Sequence, residues 1–183
     1  MRPPTLFRPA PPRSALQNVL WTAAQCAAVW GVTLFLAPLA LIALERRLGI
    51  PSLPAIHLPL IAAILFVAFS ALNLSAGAGL SVHGKGTPLP TSAPRRLVLD
   101  GPYGYVRNPM ALAGIGQGVA VALWFGSWVV LGYALAGALV WHLGLRPAEE
   151  RDLIARFGPE YARYRAAVPL WWPRFPRYDS RSS

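Results

Sequence analysis

Residues 108–145 read NPMALAGIGQGVAVALWFGSWVVLGYALAGALVWHLGL and contain no Asp, Glu, Lys or Arg. As one helix rising about 1.5 Å per residue, this run would be about 57 Å long, about twice the hydrocarbon thickness of a bilayer. Gly126 and Ser127 divide it into two apolar halves. The sequence therefore predicts a tight hairpin of two membrane helices, over 110–125 and 127–145.

Two earlier runs that lack charged residues are each long enough for the roughly 20 apolar residues of a membrane span. We predict spans over 15–44 and 56–80, with a kink at Pro38 near the end of the first. Asn73 and Ser75 lie within the second span. Polar residues inside a span face other helices or a cavity, so we expect this of both side chains.

A different kind of segment follows the hairpin. Pro147 suits the first turn of a helix, and the acidic residues after it favour the positive end of the helix dipole. Gly158-Pro159 interrupts the apolar periodicity, which predicts amphipathic interfacial helices over about 147–157 and 159–167. The predicted fold is all-α: a polytopic membrane protein with four transmembrane helices, the last two a short hairpin, plus these C-terminal helices.

The connecting segments are rich in proline and glycine. Residues 1–14 are predicted to form an irregular N-terminal arm ahead of the first two transmembrane helices, which occupy 15–80. Residues 81–109 are predicted to form a loop, because Gly and Pro at this density exclude a long helix. Residues 176–183 are expected to be a flexible tail.

The formal net charge of +10 is distributed around the apolar runs and does not cover one surface, which excludes nucleic acid as an expected partner. With four spans, fifteen of the Lys and Arg residues lie on one side of the membrane, whereas Arg46 and Arg47 lie on the other. By the positive-inside rule, both termini are predicted to be cytoplasmic.

Metal and disulfide chemistry find no support in the sequence. Cys26 is the one cysteine and lies in the first apolar run, so it has no partner for an internal disulfide. The three histidines are scattered without the spacing of metal ligands. We therefore predict no metal site.

Polar residues bracket the predicted hairpin at both of its ends. A hairpin brings its ends within about one helix diameter, so these two groups should be neighbours. Arginines bind carboxylates, and carboxylates bind amines or sulfoniums, so the expected pocket suits a zwitterionic or cationic ligand. The side chains concerned are Tyr103, Arg107, Asn108, Arg146, Glu149 and Glu150.

Four motifs follow one another in this half of the chain. They are GKGTPLP at 84–90, RRLVLDGPYGYVRNPM at 95–110, EERDLIARFGPEYARY at 149–164, and Val168-Pro169. In order and separation they resemble the isoprenylcysteine carboxyl methyltransferase family. The likeness is closer to its bacterial branch, which is related to phospholipid N-methyltransferases, and it covers about residues 84–175.

The resemblance implies a methyltransferase of the bacterial inner membrane in which residues 81–175 bind S-adenosylmethionine at the cytoplasmic face. The implied substrate is lipophilic: the carboxylate of an isoprenoid or prenylcysteine-like compound, or a lipid amine. Membrane lipid is the implied partner. Position by position, the implied cofactor contacts are Arg95, Arg96, Leu97, Val98, Tyr103, Asn108, Pro109, Met110, Ala111 and Glu149. The residues expected to act on the substrate are Arg107, Arg146 and Glu150.

Two positions depart from the family pattern. Asn108 stands where the family has a histidine, and because an amide does not titrate, acid–base chemistry is excluded there. Ala111 stands where a tyrosine is usual, which changes the shape of the pocket. Two alternatives therefore stay open: a membrane reductase that uses a phosphate-bearing nicotinamide cofactor, and a non-catalytic membrane subunit that kept the fold. The methyl-accepting atom and the oligomeric state also stay open.

Overall fold

A computed structural model describes residues 7–54 and 58–179. These residues contain no β-strand and form four long helices, which confirms the predicted all-α class. The helices are α1 (Ala15–Arg47), α2 (Leu58–Val82), α3 (Pro109–Phe125) and α4 (Trp128–Ala167). The loop between α2 and α3 carries two short 3₁₀ turns, Pro90–Ser92 and Gly101–Gly104.

Three of the helices in the described part of the chain, α1, α2 and α4, are long and apolar enough to cross a membrane. Their outer faces expose large apolar side chains such as Leu16, Val67 and Leu139, as expected of surfaces that face lipid. Helix α3 has 17 residues. That length corresponds to about 26 Å, slightly less than the hydrocarbon core. The described residues are therefore those of an integral membrane protein with three candidate spans and a shorter apolar helix beside them.

The predicted hairpin is formed by α3 and α4. Its turn lies at Gly126, whose φ of 62° is in the left-handed region that glycine adopts without strain. Ser127 then caps α4, because its hydroxyl oxygen accepts a hydrogen bond from the backbone N–H of Val130 at 3.1 Å. Local sequence chemistry therefore sets the point at which the chain reverses.

Small residues allow α3 to pack closely on its neighbours. A side chain at Gly116 would overlap the ring of Phe69 on α2. A Cβ at Gly118 would lie 3.0 Å from the Cβ of Ala134 on α4. Close approach of this kind is one source of helix association in a membrane, together with hydrogen bonds between helices, because the hydrophobic effect between helices is absent there.

A π-helical turn precedes a proline in two places within the described residues. In α1 the turn Gly31–Leu36 comes just before Pro38, where the sequence predicted a kink. In α4 the turn Trp141–Leu145 comes just before Pro147. Proline lacks the N–H that the helix ladder needs, and a wider turn accommodates both its ring and the carbonyl left without that donor.

The predicted helix start at Pro147 is therefore wrong, because α4 continues through this position. Pro147 has no N–H for the carbonyl of His142, five residues earlier, and Nε of Arg146 donates to that carbonyl instead at 3.1 Å. The acidic residues after Pro147 thus lie inside a continuous helix. The helix-dipole argument made for them does not apply.

The predicted interruption at Gly158-Pro159 is confirmed, since Gly158 has a non-helical backbone with φ 54° and ψ −128°. Beyond it, the buried rings of Tyr161 and Tyr164 pack against Leu99 and Tyr178. These two rings of the predicted interfacial face are covered by protein, whereas Ile154, which precedes the interruption, is exposed.

The two terminal segments pack onto the loop between α2 and α3. The arm is irregular in its described part, but Ala10 N donates to Ala93 O at 2.9 Å and Ala93 N donates to Arg8 O at 2.8 Å. The predicted flexible tail is wrong at Tyr178, which is buried and donates its N–H to Gly104 O at 2.9 Å. Residues 1–6 of the arm and 180–183 of the tail lie outside the described residues.

At the opposite end of the helices, Glu45 fastens the hairpin tip to α1. Its carboxylate is 5% exposed and accepts hydrogen bonds from the hydroxyl of Ser127 and, at 3.2 Å, from the N–H of Trp128. Leu53 N donates to Gly126 O at 2.7 Å beside it. A buried carboxylate with two donors stabilises the turn and defines its position relative to α1.

We expect Glu45→Ala to lower the free energy of unfolding by about 2 kcal/mol, because two donors at the start of α4 lose their charged acceptor. Thermal unfolding in detergent measures the effect. Glu160→Ala removes an exposed carboxylate from α4 and is the matched control, with an expected change below about 0.5 kcal/mol. Equal midpoints for the two variants would contradict a fastening role for Glu45.

Candidate functional site

A cavity of about 350 Å³ lies between α1, α2, α3, α4 and the loop before α3. Its walls are mostly apolar, but polar side chains gather in two places. We call the first the charged end; it consists of Arg96, Arg107, Glu149, Asp152 and Arg156. We call the second the amide end; it consists of Gln25, Asn73 and Gln117.

Asn108 joins the beginning of α3 to α4 at the charged end. Its Oδ1 accepts the N–H of Ala111 at 3.0 Å, which caps α3, and its Nδ2 donates to Oε2 of Glu149 at 3.1 Å. One amide serves both purposes because it carries an acceptor and a donor. The residue is therefore a helix cap and a site residue at once.

A second hydrogen bond joins the segment before α3 to α4, beside the bond from Asn108 to Glu149. Arg107 donates to Oε1 of Glu150 at 2.7 Å, and both side chains are mostly buried. Within the described residues, Glu150 is also approached by Arg146 at 3.4 Å and Arg165 at 3.8 Å. The prediction that the two ends of the hairpin are neighbours is confirmed. Three arginines engage Glu150, and of the two adjacent glutamates Glu149 is the one that lines the main cavity.

Glu149 lies one turn beyond Leu145, where the charge-free part of α4 ends. Burial of its carboxyl group, together with the negative charges of Glu150 and Asp152, raises the pKa of Glu149 to about 7, and the hydrogen bond from Asn108 partly opposes the rise. Desolvation disfavours the charged form of a carboxyl group, and so do like charges nearby. A cation bound in the cavity would favour the ionised form.

The structure brings most of the sequence-predicted site residues to the cavity wall. Those that line it are Arg96, Leu97, Val98, Tyr103, Arg107, Asn108, Met110, Ala111 and Glu149. Four lie elsewhere. Arg95 is exposed on the loop and Pro109 is buried under the start of α3. Arg146 and Glu150 border a much smaller pocket next to the charged end.

Several cavity residues were missed by sequence reasoning. Asp152 and Arg156 pair at 3.1 Å, and Arg156 also donates to the carbonyl of Pro94. Both follow Glu149 at helical spacing on α4, so the periodicity of that segment was a usable signal. Gln117 was also missed, whereas Asn73 was expected to face another helix or a cavity and does so. The two belong to different helices, 44 residues apart, and no local signal joins them.

Both π-helical turns border the cavity. Thr33 and Leu34 line it from the turn in α1, and Trp141 and Leu145 line it from the turn in α4. π-helical turns inside α-helices occur frequently at functional sites, because they shift side chains out of the regular helical register. Here each turn presents side chains to the cavity from one of its flanks.

The fold and this cavity define a helical integral membrane protein with a binding site where its hairpin meets the preceding loop. The profile of the phospholipid methyltransferase family, PEMT, matches residues 58–160, more than half of the chain, which therefore belongs to this family. The match confirms the family resemblance drawn from the motifs. It extends from α2 to Glu160 and includes the whole charged end. No curated protein matches the chain with significance.

We expect Glu150→Gln to destabilise the protein more than Arg107→Gln does. Removal of the Glu150 charge leaves three arginines close together without their shared counter-charge, which should lower the free energy of unfolding by about 2 kcal/mol. Removal of the Arg107 charge leaves Glu150 paired with the other two arginines, so the free energy of unfolding should fall by only about 1 kcal/mol. Thermal unfolding of the single variants and the double variant measures both effects. The reverse order would show that Glu150 does not hold this cluster together.

Proposed function

We propose that the protein is an S-adenosylmethionine-dependent methyltransferase that acts on a lipophilic substrate. One observation carries the proposal: a single cavity joins the carboxylate of Glu149 to apolar walls that continue along α1 and α3. A small zwitterion with a positive sulfur and a lipid chain would each meet complementary surface in that cavity. Membership of the phospholipid methyltransferase family supports the same reaction.

The residues at the charged end fit this cofactor. Glu149 is suited to an ammonium or sulfonium group. Arg96 lines the cavity, and in the described part of the chain it forms no ion pair, so its guanidinium is available to a carboxylate. Phe157 and Trp30 add aromatic wall on which a planar base can pack. A volume of about 350 Å³ lies within the usual range for small-molecule sites.

When bound, S-adenosylmethionine supplies a methyl group that its own sulfonium charge activates. The tasks left to the protein are to position both partners and to exclude water. Asn108 orients the Glu149 carboxylate, and the Arg107–Glu150 pair holds the start of α3 against α4. A carboxylate substrate needs no base. For an amine substrate, Glu149 is the group placed to accept the proton, because Asn108 does not titrate and arginines hold Glu150.

The proposal includes the arrangement in the membrane. Four crossings, with α3 as the shortest, put fifteen of the Lys and Arg residues on the side of the charged end. That side is then cytoplasmic, in a bacterial inner membrane, where S-adenosylmethionine is available. A substrate among the isoprenoid carboxylates or lipid amines would reach the cavity from the bilayer past α1.

The alternative of a nicotinamide-dependent reductase has less support from the site. That reading needs several free arginines for a phosphate, yet Glu150 engages Arg107 at 2.7 Å and Asp152 engages Arg156 at 3.1 Å, which leaves Arg96 as the cavity arginine without an ion pair among the described residues. Arg95 does not line the cavity. The non-catalytic alternative rests on Asn108 and Ala111, and the structure accommodates both: Asn108 still binds Glu149, and Ala111 lines the cavity.

The protein purified in detergent is expected to bind S-adenosylmethionine, and Glu149→Gln is expected to weaken binding about tenfold or more, because a cation loses its charged partner. Isothermal titration measures both affinities. Glu160→Gln on the exposed face of α4 is the matched control and should bind as the unmodified protein does. Folded protein that binds no S-adenosylmethionine at millimolar concentration would refute the proposal.

Binding should also depend on pH through Glu149. Because its pKa is about 7 in the free protein, the carboxyl group is neutral below that value. A cation prefers the ionised form, so affinity should fall as the pH is lowered from about 8 to about 6. The same titration with Glu149→Gln is the control for ionisation of the ligand itself, and the affinity of this variant should fall clearly less over this pH range. An equal pH dependence in both proteins would exclude Glu149 as the cation's partner.

A further inference from the structure

The amide end of the cavity contains polar groups that the charged end does not use. Asn73 is 5% exposed, and its Oδ1 has no hydrogen-bond partner among the described residues. Its Nδ2 lies 3.5 Å from Oε1 of Gln117, whose Nε2 donates to Ser70 at 2.9 Å. Oε1 of Gln25 is likewise buried without a partner in the described part of the chain. Two buried acceptors, one on α2 and one on α1, therefore lack donors among the described residues.

These groups lie deep among the helices. Gln117 is nine residues beyond Asn108 on α3, which places it about 13 Å farther along the helix and close to the middle of a bilayer. The hydroxyls of Thr22 and Ser81 lie 2.7 Å apart and set the register of α1 against α2. Helices α1 and α2 are antiparallel, so Gln25, three residues beyond Thr22, lies about 7 Å short of the level of Asn73, which is eight residues before Ser81.

An open path connects the two ends of the cavity. Ala111 and Gly114 line it between Asn108 and Gln117. A Cβ added at Gly114 would have no atom within 4 Å, so this stretch of the wall is open space. A chain-like molecule therefore has room to extend from the charged end to the amide end.

The pattern of bonds separates this cluster from the polar contacts that hold membrane helices together. Gln117 and Ser70 bond to each other across α2 and α3, as such contacts do. Asn73 instead leaves an acceptor unpaired beside the cavity, which is costly unless a ligand supplies a donor. Among the described residues, the charged side chains on the wall all belong to the charged end, so the missing donor is uncharged.

We propose that the amide end is a specificity site that binds a hydroxyl group on the lipophilic substrate, with the hydroxyl donating to Oδ1 of Asn73. This inference rests on the proposed function for its substrate, a lipid whose reacting group lies toward the charged end. It adds that the lipid carries a second, uncharged polar group about 13 Å from the level of Asn108.

The test compares 12-hydroxyoctadecanoate with octadecanoate as ligands of the protein in lipid nanodiscs. The two probes share a carboxylate and differ in one hydroxyl far along the chain. The unmodified protein should bind the hydroxylated probe about fivefold to tenfold more tightly, the size expected of one hydrogen bond to a buried acceptor. Asn73→Leu should reduce that preference to below about twofold by weakening the hydroxylated probe alone.

Ser75→Leu is the matched control, because Ser75 lies two residues away on α2 and donates to the carbonyl of Leu72. The expectation that Ser75 faces another helix or a cavity is wrong, since the residue is exposed. The control variant should keep the full preference. If Asn73→Leu does not fold, Asn73→Ala decides, and it should lose most of the preference. The proposal is overturned if the unmodified protein binds both probes equally, or if the deciding variant retains the preference.

Titration with S-adenosylmethionine separates this inference from the proposed function. Asn73→Leu should bind S-adenosylmethionine as the unmodified protein does, because Asn73 is remote from the charged end. Cofactor binding without a hydroxyl preference would refute the specificity site alone. A hydroxyl preference without cofactor binding would uphold the site and refute the methyltransferase proposal.

Discussion

Two parallel bonds between the start of α3 and the extension of α4 hold the functional end of this protein together. Asn108 donates to Glu149, and Arg107 donates to Glu150 beside it. Both bonds require α4 to continue as a helix past the membrane, because that continuity carries the two carboxylates to the level at which α3 begins. The π-helical turn before Pro147 makes the continuity possible, since it accommodates a proline inside the helix.

The cavity follows from the same arrangement. The two bonds join polar and charged side chains at the open end of the hairpin. At the other end, the carboxylate of Glu45 binds the turn at Ser127. Between them, small residues let α3 approach α2 closely at Gly116 and leave open space at Gly114. A membrane protein gains little from burying apolar surface between its helices, so close packing and polar bonds determine where it is dense and where it is hollow.

Much of this was accessible from local sequence patterns. Gly126-Ser127 predicted the hairpin turn, and Gly158-Pro159 predicted the break in α4, because both depend on the backbone chemistry of the residues themselves. The hairpin in turn predicted that its polar ends would meet. The assignment of Pro147 to a helix start failed for an equally physical reason: Arg146 donates to the carbonyl that the proline leaves unpaired, so the helix need not end.

The sequence by itself determined the class of the protein: charge-free runs long enough to cross a bilayer, and motifs whose order places the chain among the phospholipid methyltransferases. The tertiary structure decided which of two adjacent carboxylates lines the cavity, because arginines from three places engage Glu150 and leave Glu149. It also decided that Asn73 meets Gln117. Periodicity describes neighbours along the chain, whereas the surroundings of a side chain depend on which distant segments pack against it.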